Sequence, residues 1–162
     1  MTHDNDPPQA ILLAAGKGKR MNSDLPKVLH EVGGRPMVQW VLDAAREAGA
    51  DRNVVVVGYR GDQVRHALAD ADDVEFVEQT EQLGTGHAVM VAQPLFNDPR
   101  GQAPAVFVLA GDMPLLRGAT LRALLDAHRQ ADAAGSLATA RMADPAGYGR
   151  IVRDATGAFQ RI

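Results

Sequence analysis

The apolar residues of this chain form short runs that alternate with segments of helical spacing. Most of the runs are apolar on both faces and end at a glycine or a polar turn, which is typical of buried parallel strands. They predict strands at 10–15, 53–58, 74–77, 105–110 and 136–141.

Between these runs, hydrophobic residues recur every three or four positions, which indicates amphipathic helices. The clearest helix opens at Pro36, where proline suits the first turn, and stops at Gly49. Further helices are predicted at 62–68, at 86–96 and from about Thr120 onward.

Strands that alternate with helices at these spacings imply right-handed crossover connections. We therefore expect an α/β fold, a doubly wound, mostly parallel Rossmann-like sheet with helices on both faces. Its ligands should lie at the carboxyl ends of the strands, just after Ala15, Val77 and Ala110. The final segment, 149–162, has turn-like residues between two apolar stretches and predicts a β-hairpin.

Composition and charge narrow the function classes. The 162 residues are 46% hydrophobic but only 4% aromatic, which fits an aliphatic core in one domain. Polar residues 1–9 predict a disordered lead-in, and residues 10–162 are predicted to form the domain.

A net charge of -3 with scattered cations argues against nucleic-acid or anionic-membrane partners. The absence of cysteine fits a reducing compartment, so a cytoplasmic location is expected.

The strongest chemical signal follows the first predicted strand. Residues 13–21 read Leu-Ala-Ala-Gly-Lys-Gly-Lys-Arg-Met, and 25–27 read Leu-Pro-Lys. Small residues let phosphates approach the main-chain N–H groups, and the cations between Lys17 and Lys27 supply positive charge. A dinucleotide-binding loop would need glycine in place of Met21, and a Walker loop would need Ser or Thr after Lys17. The segment predicts an anion-binding loop of another kind.

A second signal is the stretch 79–87, Gln-Thr-Glu-Gln-Leu-Gly-Thr-Gly-His, after a predicted strand and at a helix start. The amide of Gln79 can donate and accept, so it can read a pyrimidine edge, while Gly84 allows close main-chain contact with a base. Thr85 can cap the helix or bond a ligand. The alternative is an ordinary loop, in which a histidine such as His87 is more often structural than a ligand.

The third signal is Asp112, which follows the apolar run 105–110 and Gly111. A lone carboxylate at a strand end suits Mg²⁺, because Mg²⁺ takes few carboxylates and shares phosphate oxygens. The alternative is an aspartate that caps a turn.

Together these segments resemble the sugar-1-phosphate nucleotidyltransferases. The sequences of residues 23–30, 82–88 and 144–151 resemble the uridyltransferase domain of the bifunctional enzymes that make UDP-N-acetylglucosamine and also acetylate glucosamine 1-phosphate. The resemblance covers nearly the whole chain. It implies Mg²⁺-dependent transfer of UMP from UTP to N-acetylglucosamine 1-phosphate, with release of pyrophosphate. The product of this reaction would be a precursor of the cell wall.

The resemblance also implies roles for individual residues. Arg20 and Lys27 would be catalytic, Arg20 by stabilising charge at the reacting phosphates and Lys27 by holding the sugar phosphate and the transition state. Asp112 would bind Mg²⁺. The implied nucleotide-binding residues are Leu13, Ala14, Ala15, Gly16, Lys17, Gly18, Gln79, Gly84 and Thr85, and the implied sugar-binding residues are Thr85, Gly111 and Gly147.

The chain departs from the family pattern in places. Lys19 stands where this subfamily usually has threonine, and Ala110 where some members have tyrosine. The family's sugar-contacting glutamate, an asparagine and a second metal ligand fall beyond Ile162, so the resemblance implies an incomplete catalytic domain that is inactive or nearly so alone.

Two alternatives stay open: a superfamily member of the molybdenum-cofactor nucleotidyltransferase type, or a non-catalytic nucleotide-binding regulatory domain. The sequence indicates no oligomeric state.

Overall fold

The computed structural model describes residues 6–18, 21–96 and 104–162. Short 3-10 turns at Lys27–Leu29 and Gln93–Phe96 accompany the helices and strands. In chain order, the elements of the described part are β1 (Gln9–Ala14), β2 (Glu31–Val32), β3 (Arg35–Pro36), α1 (Met37–Glu47), β4 (Arg52–Val57), α2 (Gly61–Ala67), β5 (Val74–Glu78), α3 (Thr85–Ala92), β6 (Val106–Ala110), α4 (Gly118–Gln130), β7 (Val152–Arg153) and β8 (Phe159–Arg161).

A parallel sheet in the order β5-β4-β1-β6 forms the centre of the fold. The chain adds β4 and then β5 on one side of β1, and it crosses over to place β6 on the other side. The strand order therefore reverses at β1. In open parallel sheets, ligands bind at such a reversal, in the crevice outside the carboxyl ends of the strands. Here that crevice lies between the loops that follow β1 and β6.

Alternate residues of the strands pack into two separate clusters, because successive side chains of a strand point to opposite faces. Leu12 belongs to the cluster that contains α1, α2 and α4, whereas Ile11 belongs to the cluster that contains α3. Helices therefore cover both faces of the sheet, and the predicted doubly wound α/β class is confirmed. The fully buried side chains of the larger cluster include Leu12, Val38, Val41, Leu42, Val55, Val57 and Val64.

The start of β1 lies one residue earlier than the boundary that the sequence pattern suggests. The amide of Gln9 donates to the carbonyl of Ala105 (2.9 Å), and the carbonyl of Pro8 accepts from the amide of Asp51 (3.2 Å). These bonds attach the end of the polar segment 1–9 to the sheet, so Gln9 is part of the folded domain and not of a disordered lead-in.

The helix predicted at 86–96 has different ends in the structure. α3 begins at Thr85 and stops at Ala92, and a 3-10 turn continues from Gln93 to Phe96. Pro94 explains the early end, because proline has no amide hydrogen with which to continue the helical hydrogen bonds.

The strand predicted at 136–141 is wrong. These residues are exposed and form no strand, and no backbone hydrogen bond within the described ranges pairs them with a neighbour. A strand is stabilised by bonds to an adjacent strand, so the local sequence alone does not establish one.

The hairpin predicted at the end of the chain is confirmed. β7 and β8 pair in antiparallel fashion, and the carboxylate of Asp154 accepts hydrogen bonds from the amides of Thr156 (2.9 Å) and Ala158 (3.0 Å) in the turn. A second hairpin, between β2 and β3, was missed, although its turn residues Gly33 and Gly34 both have positive φ and are a recognised hairpin signal. In the described part of the chain, no helix is long and apolar enough to cross a bilayer.

Candidate functional site

The loops that follow the four central strands are joined at one edge of the sheet. The carbonyl of Ala15, after β1, accepts hydrogen bonds from the amide of Tyr59 (3.1 Å), after β4, and from the side chain of Gln82 (3.1 Å), after β5. The amide of Gly111, after β6, donates to the carbonyl of Leu13 (3.0 Å). The three positions predicted to carry function therefore lie at one surface.

Two glycines permit this close approach of the loops. A Cβ atom on Gly58 would lie 2.9 Å from the Cβ of Ala15, and one on Gly111 would lie 2.9 Å from the carbonyl oxygen of Leu13. Side chains larger than hydrogen would force the strand ends apart. The sequence pattern singled out Gly111 for sugar binding, but it missed Gly58, whose only signal is its place directly after a valine run.

The loop after β1 combines a tightly packed glycine with an open one. A Cβ atom on Gly18, which has φ +69°, would lie 2.7 Å from the Cβ of Lys27, whereas one on Gly16 would meet no atom within 4 Å. The loop conformation therefore requires Gly18, while Gly16 leaves free space on the exposed side. Arg20, predicted to be catalytic, lies outside the described residues together with Lys19, and its role stays a prediction.

Tyr59 lies between two cations beside this loop. The ammonium group of Lys17 is 5.1 Å from the centroid of the Tyr59 ring, and the guanidinium group of Arg60 is 5.6 Å from it. The Tyr59 hydroxyl also donates to the carbonyl oxygen of Asp24 at 3.5 Å. Sequence reasoning missed Tyr59, because these contacts join segments that are distant along the chain.

Lys27 and Asp112 face each other across the crevice where the strand order reverses. Lys27 opens the 3-10 turn behind the fully buried Pro26. Its ammonium group contacts the carboxylate of Asp112, and the two side chains are 38% and 26% exposed. In the described ranges, no three His, Asp or Glu side chains form a group that could hold a metal ion. A cation at Asp112 would therefore take other ligands from substrate or water.

Gln79 is buried at the end of β5, with only 4% of its surface exposed. Its side-chain nitrogen donates to the carbonyl of Gly84 (3.1 Å) and contacts Nδ1 of His87 (3.0 Å). Gly84 has φ +103°, which favours glycine, and occupies the position before α3. The capping role predicted for Thr85 is wrong, because Thr85 is already the first helical residue and no side chain caps this helix.

No described hydrogen bond joins Gly147 to the crevice. It has φ +79° in an exposed turn that is closed by the amide of Tyr148 donating to the carbonyl of Pro145 (3.1 Å). The described hydrogen bonds of this segment stay within 144–150. The sugar-binding role assigned to Gly147 stays a prediction.

Ionisable groups with shifted pKa values lie away from this edge. Hydrogen bonds from Arg46 hold the pKa of Asp73 below its ordinary value, and hydrogen bonds from Arg52 do the same for Glu75. Asp73 lies just before β5. Arg52 is the first residue of β4, and its partner Glu75 lies within β5. These ion pairs stabilise the fold and take no part in the crevice.

The glycine and lysine loop after the first strand lies beside a lysine–aspartate pair at the reversal of strand order. Together they suit the binding of phosphates and a cation at the carboxyl ends of a parallel sheet. The family model described as "MobA-like NTP transferase domain" matches residues 10–161, and the chain belongs to this family. The chain is therefore placed among the nucleotidyltransferases.

The chain is also similar to curated proteins named Bifunctional protein GlmU. It is 57% identical over 152 residues to that of Cupriavidus taiwanensis, which covers 94% of this chain and 32% of the relative. It is 50% identical over 151 residues to that of Cyanothece sp., which covers 93% of this chain and 33% of the relative. The predicted resemblance is confirmed, and the chain spans about a third of the length of these relatives.

Solved structures share the fold. Rv0371c from Mycobacterium tuberculosis H37Rv matches with a TM-score of 0.63 and 27% identity, over 76% of this chain and 61% of that chain. A complex of the same protein with manganese matches with a TM-score of 0.55 and 28% identity, over 77% of this chain and 61% of that chain.

Proposed function

We propose that this chain is a uridyltransferase domain that transfers UMP from UTP to N-acetylglucosamine 1-phosphate and releases pyrophosphate. The observation that carries the proposal is the Lys27–Asp112 pair, which lies where the strand order reverses, beside the open glycine loop after β1. The extent of identity to the GlmU proteins supports the choice of UTP and of this sugar phosphate.

The reaction needs positioning and charge neutralisation more than a protein nucleophile. A phosphate oxygen of the sugar phosphate forms a bond to the α-phosphorus of UTP, and the bond from that phosphorus to the oxygen bridging to the β-phosphate breaks, so pyrophosphate leaves. The main chain of Gly16 and Gly18, with Lys17, would hold the triphosphate. Lys27 would hold the attacking sugar phosphate and, with Arg20, stabilise the charge of the transition state.

Asp112 is the described residue that we propose as the protein ligand of Mg²⁺. Carboxylate and phosphate oxygens are the donors that Mg²⁺ prefers, so a single aspartate beside bound phosphates fits this ion. When bound, Mg²⁺ would supply charge neutralisation at the phosphates. The manganese complex of the similar Rv0371C supports a divalent cation in this fold without selecting magnesium.

Gln79 and the main chain of Gly84 would select the base. Gln79 is buried at the end of β5, in the loop whose Gln82 bonds the carbonyl of Ala15. A buried polar side chain that contacts the base loses a hydrogen bond when the wrong base binds. We therefore propose that UTP is preferred over CTP and ATP.

Calorimetric titration of the chain with UTP, CTP and ATP in the presence of Mg²⁺ tests this assignment. UTP should bind at least about tenfold more tightly than the other two. Lys17→Ala should weaken UTP binding, while Arg161→Ala, which removes an exposed cation of β8, should not. Equal affinity for the three nucleotides would contradict the uridine assignment.

Pyrophosphate release from UTP and N-acetylglucosamine 1-phosphate separates a transferase from a regulatory nucleotide-binding domain. We propose that turnover by these 162 residues alone is slow, because Asp112 is the one carboxylate that we assign to the metal, which would then be held mainly by substrate phosphates and water. Turnover within about tenfold of a full-length GlmU protein, a barrier difference of roughly 1.4 kcal/mol, would contradict this proposal. Nucleotide binding with no pyrophosphate release under any condition would favour the regulatory alternative.

A further inference from the structure

The side-chain amide of Gln79 has one orientation that satisfies its surroundings. The carbonyl of Gly84 can only accept, so the amide atom 3.1 Å from it must be the nitrogen, which donates. The same nitrogen lies 3.0 Å from Nδ1 of His87. Because an amide nitrogen has two hydrogens and does not accept, Nδ1 must accept the second one. The imidazole of His87 therefore carries its proton on Nε2.

This arrangement leaves Oε1 as the free end of the Gln79 amide. Both amide hydrogens are used by partners within 84–87, and in the described part of the chain no donor contacts Oε1. Uracil presents one donor on its pairing edge, the N3–H group, whereas cytosine has a bare acceptor at N3. An amide oxygen that faces this position accepts a hydrogen bond from N3–H of uracil. With cytosine the same oxygen faces the lone pair of N3 and is left without a hydrogen bond.

Both partners that orient the amide are held by α3. The carbonyl of Gly84 also accepts a hydrogen bond from the amide of Ala88 (3.2 Å) in the first turn of this helix. His87 is in the same turn, and the next residue, Ala88, is buried in the core cluster that contains α3. Of the two acceptors, the imidazole is the one that a side-chain substitution can remove.

We propose that His87 is a specificity-determining residue, which selects uridine over cytidine nucleotides by positioning the amide of Gln79. This inference rests on the proposed uridyltransferase function and adds to it a residue that does not itself touch the reacting phosphates. Without the acceptor at Nδ1, one hydrogen of a buried amide loses its partner, and the carbonyl of Gly84 is the one remaining group that orients the amide.

Competition binding of UTP against CTP, with three variants, tests the inference. His87→Ala should reduce the preference for UTP by about tenfold or more, because the amide keeps only one of the two hydrogen bonds that orient it. His87→Asn should restore most of the preference, since Asn Oδ1 is separated from Cβ by one atom, as Nδ1 is. Met90→Ala, at an exposed position of the same helix, should leave the preference unchanged. Circular dichroism establishes that each variant is folded.

Nitrogen NMR of the ligand-free chain gives a second readout that needs no nucleotide. At neutral pH, Nδ1 of His87 should have the chemical shift of an unprotonated nitrogen, and the Gln79 amide signals should move in His87→Ala and return toward their original positions in His87→Asn. A protonated Nδ1 would overturn the inference whatever the nucleotide affinities are. A folded His87→Ala that keeps the full UTP preference would overturn the inference alone, whereas equal binding of UTP and CTP by the unsubstituted chain would overturn the uridine assignment as well.

Discussion

The ammonium group of Lys27 contacts the carboxylate of Asp112 across the crevice at the reversal of strand order. The two residues come from loops on neighbouring strands, β1 and β6, whose register is fixed by parallel pairing. A bound phosphate would give Lys27 a new partner of opposite charge, and a divalent cation would give one to Asp112. The ion pair therefore holds both charges in place, before a ligand binds, at the point where a phosphate and its metal would meet.

Asp112→Asn should remove the effect of Mg²⁺ on UTP binding with little change in stability. The ion pair is partly exposed, and such pairs contribute about 0–1 kcal/mol to folding. Titrations of UTP with and without Mg²⁺, together with urea unfolding, measure the two effects separately. Asp126→Asn, at an exposed position of α4, is the control. If Asp112→Asn binds UTP more tightly with Mg²⁺ than without, the metal assignment is wrong.

Gly16→Ala should weaken nucleotide binding without destabilising the fold. An added Cβ meets no atom within 4 Å, so the protein itself accommodates it, yet it would occupy the side from which phosphates approach the main chain. We expect UTP affinity to fall by about tenfold, or roughly 1.4 kcal/mol, with stability unchanged within about 0.5 kcal/mol. Gly135→Ala, also in open space but in the exposed segment after α4, should change neither quantity. Unchanged UTP affinity in Gly16→Ala would remove this loop from the phosphate site.

Tyr59→Leu should weaken binding of the triphosphate more than binding of uridine. The aromatic ring holds Lys17 at 5.1 Å, and exposed contacts of this kind contribute about 0.5–1 kcal/mol, which corresponds to a few-fold change in affinity. Tyr59→Phe keeps the ring and loses only the 3.5 Å hydrogen bond to Asp24, so it should stay close to the unsubstituted chain. Equal losses for UTP and uridine in Tyr59→Leu would show that Tyr59 supports the loop in general and not the phosphate contact.

The sequence predicts the central strands because their burial on both faces is a local property. The valines of β4 and the aliphatic residues of β1 are apolar whichever side they face, and the structure places them in the two clusters on either side of the sheet. The segment 136–141 shows the limit of this reasoning. A strand is predicted there, but strand formation depends on a pairing partner that the local sequence does not specify.

The candidate site is predictable where it follows a strand end and not where it depends on long-range contacts. Asp112 and Gln79 were identified because each follows an apolar run. Gln82 bonds the carbonyl of Ala15 across 67 residues of sequence, and no local pattern indicates that contact. The contact between Gln79 and His87 spans only eight residues, so an amide that faces the first turn of the next helix could have been inferred from the sequence.

Asp73→Asn should flatten the loss of stability at acid pH. Arg46 donates to the Asp73 carboxylate (2.8 Å), as does the buried Asn53 (2.8 Å), and these bonds lower the pKa of Asp73 in the folded protein. Because the folded pKa lies below the unfolded one, the stabilisation is present above the ordinary aspartate pKa of about 4 and is lost as the pH falls below it, through the folded value.

Urea unfolding at pH 7 and at steps from pH 4.5 to about pH 2.5 measures this contribution. Asp73→Asn should be less stable than the unsubstituted chain at pH 7, and the difference should shrink as the pH falls, because protonation removes the same charge that the substitution removes. Asp70→Asn, an exposed neighbour, should follow the unsubstituted chain throughout. Some acid loss should persist in Asp73→Asn, since Arg52 still lowers the pKa of Glu75. A difference between Asp73→Asn and the unsubstituted chain that stays constant over this range would show that the ion pair with Arg46 adds no pH-dependent stability.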